Sequence, residues 1–267
     1  PNGFLVRHEN GTLTEHLYSH RMGEMLGIFE SRLGSRRGTE EVRSAKFEVQ
    51  RGGAEGIKRS GFKSSRGEKT RIGLLPALKR QDGGIFQYSL TLLEQLHELS
   101  LRGVLGHEFV IFAHAPDDPV LERFSDSRWS VKSFRPPWAA ESSIDLTATP
   151  PLDAPLEQSD MRAWLEECGV ELMIYPSPHR LSFECGLPFV MAIHDLQHAL
   201  QPEFPEVSAD GEWRRREYVL RNAARRATLL IAESGVGRED ILRVYGSYGV
   251  SAERVKVLPY LPGSTSD

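Results

Sequence analysis

The amino-acid sequence predicts a doubly wound α/β fold built on a mostly parallel sheet. From Thr70 onward, apolar segments of strand length alternate with amphipathic segments of helix length, a pattern typical of a sheet with helices packed against it. Several strand segments are apolar at consecutive positions, as in "VELMIYPS" and "LPFVMAIHD". Such strands are covered on both faces, so helices are expected on both sides of the sheet.

The first part of this region contains three predicted strands and one helix. "TRIGLLPAL" predicts the first strand, and a helix is predicted after it because Phe86, Leu90, Leu93 and Leu96 recur at helical spacing. "HEFVIFAH" and "RWSVKSF" predict the second and third strands. Residues 134–156 contain five prolines, which predict an extended insertion rather than a regular element.

The second part continues the alternation to the last predicted strand. Helices are predicted at "DMRAWLEECG", "GEWRRREYVLRNAARRA" and "REDILRVYG", and strands at "VELMIYPS", "LPFVMAIHD", "TLLIAES" and "RVKVLPY". The predicted organisation is therefore a helical segment at residues 1–32, interpreted as the tail of an upstream domain, a flexible basic linker at 33–69, and one α/β domain at 70–267.

Charge and composition narrow the classes of partner and compartment. The stretch from Arg32 to Arg71 carries twelve Lys or Arg and five Asp or Glu, whereas the whole chain has a net charge of −4. This stretch is either simply solvated or touches an anionic surface, and it lacks the interleaved aromatic residues of a nucleic-acid site. Cys168 and Cys185 lie in apolar contexts, which predicts buried thiols in a reducing compartment. We therefore predict a cytoplasmic protein without nucleic acid, with peripheral membrane contact left open.

Two polar stretches follow predicted strands at their carboxyl ends. Asp82, Gly83 and Gly84 follow the first strand and precede a helix. Glycines there either let a phosphate or sugar approach the backbone and the free N–H groups of the helix, or form a tight turn that needs positive φ. The dinucleotide fingerprint G-x-G-x-x-G is absent.

The second polar stretch is "VMAIHDLQHALQPEFPE", where His194 and Asp195 end an apolar strand. In an open α/β sheet this position faces the binding crevice, although a histidine at a strand end is often structural. His198 lies four residues after His194, but nearby prolines and the lack of a third ligand argue against a metal site. No metal or other cofactor is expected.

Several arginines lie on the predicted helix near residue 220. Arg214, Arg221 and Arg225 are spaced to share one helical face, which either contacts anionic groups of a lipid-linked acceptor or is solvated. The sequence contains no G-x-S-x-G elbow, P-loop, C-x-x-C or H-E-x-x-H, so the common hydrolase and phosphotransferase signatures are missing.

Residues 70–267 resemble the N-terminal half of a family 4 glycosyltransferase of the GT-B fold. The resemblance is carried by "DGGIFQY", "GLPFVMAIHDLQHALQPEFPE", the arginine-rich helix, "LLIAESGVGREDILRVYG" and "VSAERVKVLPYLP". It implies a Rossmann-like domain that takes part in a retaining, metal-independent transfer from a nucleotide-sugar donor to a sugar, glycan or lipid-linked acceptor. The catalytic residues are then predicted to be His194 and Asp195, and the substrate-binding residues Asp82, Gly83, Gly84, Tyr88 and Ser234.

The chain departs from that family at its end. Nothing follows the predicted hinge, because the sequence stops at Asp267 before a nucleotide-binding half with its paired glutamates. The chain alone is therefore expected to be inactive in sugar transfer. Two alternatives stay open, which are a non-catalytic Rossmann-like binding module and another GT-B enzyme such as a nucleotide-sugar epimerase.

Overall fold

The computed structural model of the chain describes residues 69–135 and 161–260. The helical segment predicted at 1–32, almost all of the linker at 33–69 and most of the insertion at 134–156 lie outside the described residues. The observed bounds below therefore concern the α/β region alone.

Seven parallel strands form one sheet in the described part of the chain. They are β1 Arg71–Leu74, β2 Glu108–Ala113, β3 Trp129–Ser133, β4 Leu172–Tyr175, β5 Phe189–Ile193, β6 Leu229–Ala232 and β7 Val255–Val257. Their spatial order is β3-β2-β1-β4-β5-β6-β7, and every neighbouring pair is parallel. The predicted doubly wound sheet is confirmed, with its change of winding direction between β1 and β4, where such sheets open a ligand crevice.

All four predicted helices are present, and three short ones lie between them. The helices are α1 Gly84–Leu101, α2 Met161–Glu167, α3 Leu181–Glu184, α4 Gln197–Leu200, α5 Pro205–Ser208, α6 Glu212–Arg226 and α7 Gly235–Tyr245. Pro205 occupies the first turn of α5, where its missing N–H costs no hydrogen bond. The prolines after β5 thus divide this connection into short helices.

The core lies on both faces of the sheet because successive strand residues point to opposite sides. Leu172 and Ile174 of β4 belong to the buried cluster that includes the apolar face of α1. Met173 and Tyr175, the residues between and after them, belong to the cluster that includes α2, α6 and α7. Helix α1 therefore covers one face and the other three long helices cover the opposite face.

The arginine face predicted on α6 is only partly exposed. Arg214 and Arg225 are exposed, but Arg221 is 7% exposed. Its Nε lies 3.7 Å from Glu217 Oε1 and its guanidinium covers the Tyr248 ring. The prediction that Arg214, Arg221 and Arg225 form one surface is wrong, because Arg221 pairs with a buried carboxylate on the inner side of the helix.

Cysteine burial agrees with the prediction at one position of the two. Cys185 is fully buried and Cys168 is half-buried, and both are free thiols. No helix among residues 69–135 and 161–260 is long and apolar enough to cross a bilayer.

Candidate functional site

The carboxyl edge of the sheet gathers most of the polar residues singled out from the sequence. Gly83 follows β1, His194 follows β5 and Ser234 follows β6. Because all strands of the sheet run parallel, their carboxyl ends lie along one edge. The loops after β1, β4, β5, β6 and β7 therefore form the candidate site.

His194 is held between the loops that follow β4 and β6. Its Nε2 lies 2.9 Å from the carbonyl oxygen of Pro176, and its Nδ1 hydrogen-bonds to Oε1 of Glu233. The side chains of His194 and Glu233 are 12% and 17% exposed, so the pair is largely shielded from water yet borders the surface.

Two tyrosines pack against the His194 ring. Tyr88 of α1 meets it edge to face, with ring centroids 4.9 Å apart, and meets the Tyr260 ring in the same way at 5.0 Å. The Tyr260 hydroxyl lies 3.3 Å from His194 Nδ1. We call Tyr88, Pro176, His194, Glu233 and Tyr260 the edge cluster. It joins α1 to the segments that follow β4, β5, β6 and β7.

The environment of Tyr260 favours its neutral form. Burial raises the pKa of the Tyr260 hydroxyl above its usual value, and its hydrogen bond to the Glu233 carboxylate raises the pKa further. A phenolate beside a carboxylate would add a second negative charge at the same place. Tyr260 is therefore a hydrogen-bond donor in this cluster.

A second histidine, His179, lies in the loop between β4 and α3. Its Nδ1 accepts a hydrogen bond from the Leu181 N–H at 3.1 Å, at the start of α3. Burial lowers the pKa of His179 to about 4, with a further contribution from the nearby His114. Both the hydrogen bond and the burial favour a neutral ring with its hydrogen on Nε2.

This neutral histidine predicts a loss of stability in acid. As pH falls below about 6.5, the unfolded chain protonates His179, whereas the folded chain resists protonation until about pH 4. The free energy of unfolding should therefore fall by about 2–3 kcal/mol over this window. In the His179→Asn variant the side-chain oxygen can still accept the Leu181 N–H but does not titrate. Urea unfolding at both ends of this pH window should show a smaller decrease in the free energy of unfolding for this variant than for the unmodified chain. An equal decrease in both would contradict the assignment.

Asp195, the second predicted catalytic residue, faces a different set of partners. Its Oδ1 accepts hydrogen bonds from the Gln197 N–H at 3.0 Å and from Arg216 Nη1 at 3.1 Å. The carboxylate thus holds the start of α4 and ties it to α6. Gln197 and Arg216 both lie outside the edge cluster, so these contacts of Asp195 fit a structural role in the loop after β5.

The remaining predicted substrate-binding residues lie on the same edge but in separate roles. Asp82, Gly83 and Gly84 are exposed, and Gly83 has φ 55°, a conformation that favours glycine. The tight-turn explanation therefore accounts for Gly83, and an added Cβ would meet no atom within 4 Å at either Gly83 or Gly84. Ser234 caps α7 by accepting the Gly237 N–H at 3.0 Å. Tyr88 is buried beneath His194 rather than open to solvent, with 2% exposure.

Sequence reasoning missed Glu233, Tyr260, Pro176 and His179. A signal was present for each of them. Pro176, Glu233 and Tyr260 occupy the last or second-last position of a predicted strand segment, and His179 follows such a segment by two residues. Glu233 directly precedes Ser234 in "TLLIAES". What the sequence could not reveal is which of these neighbouring residues turns towards His194.

The described residues contain no group of three or more His, Cys, Asp or Glu side chains arranged to hold a metal ion. The groups found at this edge are hydrogen-bond donors and acceptors, the His194–Glu233 pair and the N–H groups at the start of α1. Such a set can orient and stabilise an anionic or hydroxyl-rich ligand.

Comparison with known proteins identifies one matching family. The family described as Glycosyltransferase Family 4 matches residues 82–260, a range that contains the whole edge cluster. HepE from Anabaena in complex with UDP and glucose shares 20% identity at a TM-score of 0.40, covering 71% of this chain and 44% of HepE. The UDP-GlcNAc 2-epimerase from Methanocaldococcus jannaschii shares 10% identity at a TM-score of 0.40, covering 71% of this chain and 45% of the epimerase. The chain thus spans less than half the length of either structure. No curated protein sequence matches it significantly.

Proposed function

The chain belongs to glycosyltransferase family 4, and we propose that it forms the acceptor-side domain of a retaining transferase that uses a nucleotide-sugar donor. The observation that supports this best is the edge cluster around His194. It lies at the carboxyl edge of a doubly wound sheet, where ligands of this fold class bind. The cluster falls inside the range matched by the family.

Each part of this edge has a role in the proposed transfer. The exposed turn at Gly83 and Gly84 leads into α1, so the first N–H groups of that helix can face phosphate oxygens of the donor. His194 borders the same edge, and in this proposal its Nε2–H exchanges the Pro176 carbonyl for the transferred sugar or its leaving phosphate. Negative charge grows on that phosphate as the bond to the sugar breaks, and preorganised donors stabilise such charge.

The acceptor in this proposal is a hydroxyl of a sugar, a glycan or a lipid-linked sugar, and no metal ion takes part. His194 does not need to act as a base for the acceptor hydroxyl, since both of its ring nitrogens already have partners. The retaining outcome and the role of a second domain follow from the family resemblance.

The 267-residue chain alone should not transfer sugar, because the resemblance assigns the nucleotide site to a second domain. The test incubates the chain, and a longer protein that contains it with a second α/β half, with a panel of nucleotide sugars and hydroxyl acceptors. Release of the nucleoside diphosphate with formation of a glycoside is expected for the longer protein alone. Turnover by the chain would contradict the proposed division of roles. Conversion of the donor into an isomer without any acceptor would indicate an epimerase instead.

A further inference from the structure

The His194 ring lies between two hydrogen-bond acceptors. Its Nε2 is 2.9 Å from the Pro176 carbonyl oxygen, which can only accept a hydrogen bond. Nε2 must therefore carry a hydrogen. In a neutral imidazole that leaves Nδ1 without one.

Nδ1, however, faces a carboxylate. It contacts Oε1 of Glu233, and an ionised carboxylate has lone pairs but no hydrogen. Two lone pairs facing each other in a shielded site would repel, so the contact is favourable when a hydrogen lies between them. The Tyr260 hydroxyl lies 3.3 Å from Nδ1 and also borders the Glu233 carboxylate. A charged carboxylate attracts the hydroxyl hydrogen more strongly than a ring nitrogen does.

We infer that Glu233 is a positioning residue that keeps hydrogens on both ring nitrogens of His194, so that His194 acts as a hydrogen-bond donor and a positive charge rather than as a base. The inference rests on the proposed function and assigns the chemical role of His194 within it. It is supported by the contacts that residues after β4, β6 and β7 make with the His194 ring.

The neighbouring groups agree with a charged, fixed ring. Asp195 is adjacent in sequence, but its carboxylate contacts Gln197 and Arg216, so Glu233 is the carboxylate found against His194 in the structure. Tyr88 meets the ring edge to face at 4.9 Å and an angle of 81°. This packing restricts the ring's rotation, and an aromatic neighbour tolerates a cation.

A positively charged ring suits the donor side of a sugar transfer. A leaving diphosphate gains negative charge, which an imidazolium stabilises, and its N–H groups can also contact hydroxyls of the sugar. A ligand oxygen would compete with the Pro176 carbonyl for the Nε2 hydrogen. Contact with the substrate therefore requires exchange of one acceptor for another and leaves the Glu233 bond in place.

The first experiment measures the protonation of His194 directly in the ¹⁵N-labelled chain at neutral pH. Long-range ¹H–¹⁵N spectra distinguish a ring with one protonated nitrogen from a ring with two, and the His194→Gln variant identifies the resonance. Two protonated nitrogens are expected for the unmodified chain. A ring with one protonated nitrogen would overturn the inference, and this measurement needs no variant of Glu233 to fold.

The second experiment uses Glu233→Gln, which keeps the shape of the side chain but can donate its amide hydrogen to Nδ1. The ring should then show one protonated nitrogen. Tyr260→Phe is the matched control, because it removes a neighbour of the same ring but leaves the carboxylate, and it should keep two. In the longer, active protein, Glu233→Gln should lower kcat roughly tenfold or more, as for loss of a hydrogen bond to a charged group. Its KM for the acceptor should change little, and an unchanged kcat would count against the positioning role.

The two experiments separate the inference from the proposed function. Two protonated nitrogens together with no detectable sugar transfer by any longer protein would leave the positioning intact and reject the transferase. Sugar transfer with a singly protonated His194 ring would support the transferase and reject the role of Glu233.

Discussion

Replacing Glu217 with alanine should destabilise the chain by about 3–5 kcal/mol. Glu217 of α6 is 6% exposed and is the centre of a buried polar cluster. Its Oε2 lies 3.1 Å from His198 Nε2 and accepts a hydrogen bond from the Tyr245 hydroxyl at 3.0 Å, while Oε1 faces Arg221. Alanine would remove the carboxylate from all three at once, and buried polar groups that lose their partner are costly.

Urea unfolding followed by circular dichroism measures this loss. Glu239→Ala is the matched control, because Glu239 is an exposed glutamate on the neighbouring helix α7, and it should change the free energy of unfolding by less than about 0.5 kcal/mol. Glu217→Gln keeps an acceptor for Tyr245 and should lie between the two. A loss below about 1 kcal/mol for Glu217→Ala would show that the cluster contributes little.

This cluster has a bearing on the candidate site. His198 belongs to α4, which begins three residues after His194, and Glu217 and Tyr245 belong to α6 and α7. The bonds among them therefore anchor the loop after β5 to the helices behind the sheet. Burial raises the pKa of Tyr245, with a further contribution from Glu217, so its hydroxyl keeps its hydrogen through neutral pH.

The second large effect is expected at His194 in a longer protein with a second α/β half, as the proposed function requires. His194→Ala should lower kcat about a hundredfold or more, by analogy with donors that stabilise developing negative charge, whose loss costs about 2–4 kcal/mol. The contact strengthens as the leaving phosphate gains charge, so kcat should fall more than KM rises. Steady-state kinetics with a saturating donor measures both values.

A matched control separates this role from stability. His97 also pairs with a carboxylate, Asp126, at 2.9 Å. That pair involves the far part of α1 and the residues before β3, at the opposite edge of the sheet. His97→Ala should therefore lower the melting temperature but leave kcat of the folded enzyme nearly unchanged. If His194→Ala behaved in the same way, with kcat preserved and stability reduced, His194 would be a structural residue.

The architecture could be predicted from the sequence because strands that are buried on both faces are apolar at consecutive positions. The residues of β4 and β5 are apolar at every position, which few other arrangements require. The spatial order of the strands is less visible in the sequence. It depends on which strand pairs with which over long separations, and the handedness of crossovers limits these choices without settling them.

The location of the site could be predicted because the carboxyl ends of parallel strands lie along one edge of the sheet. His194 and Tyr88 were singled out, and the structure brings their rings together. Glu233 was not, because a glutamate beside an exposed serine at a strand end is ordinarily solvated. Arg221 was assigned to an exposed face for a similar reason, since helical spacing predicts direction but not the buried partner that Glu217 provides.

The position of β1 in the middle of the sheet also affects how the chain folds. Ile72 of β1 pairs with Leu172 of β4, so residues 100 positions apart in sequence must meet to join β1 to β4. Pairings of this separation slow folding, because the entropy of closing the loop is lost before the contacts form. The equilibrium cost rises only gradually, by about 0.6 kcal/mol for each doubling of loop length. Changes in the length of the chain between β3 and α2 should therefore alter the time needed to fold more than the stability of the edge at which His194 lies.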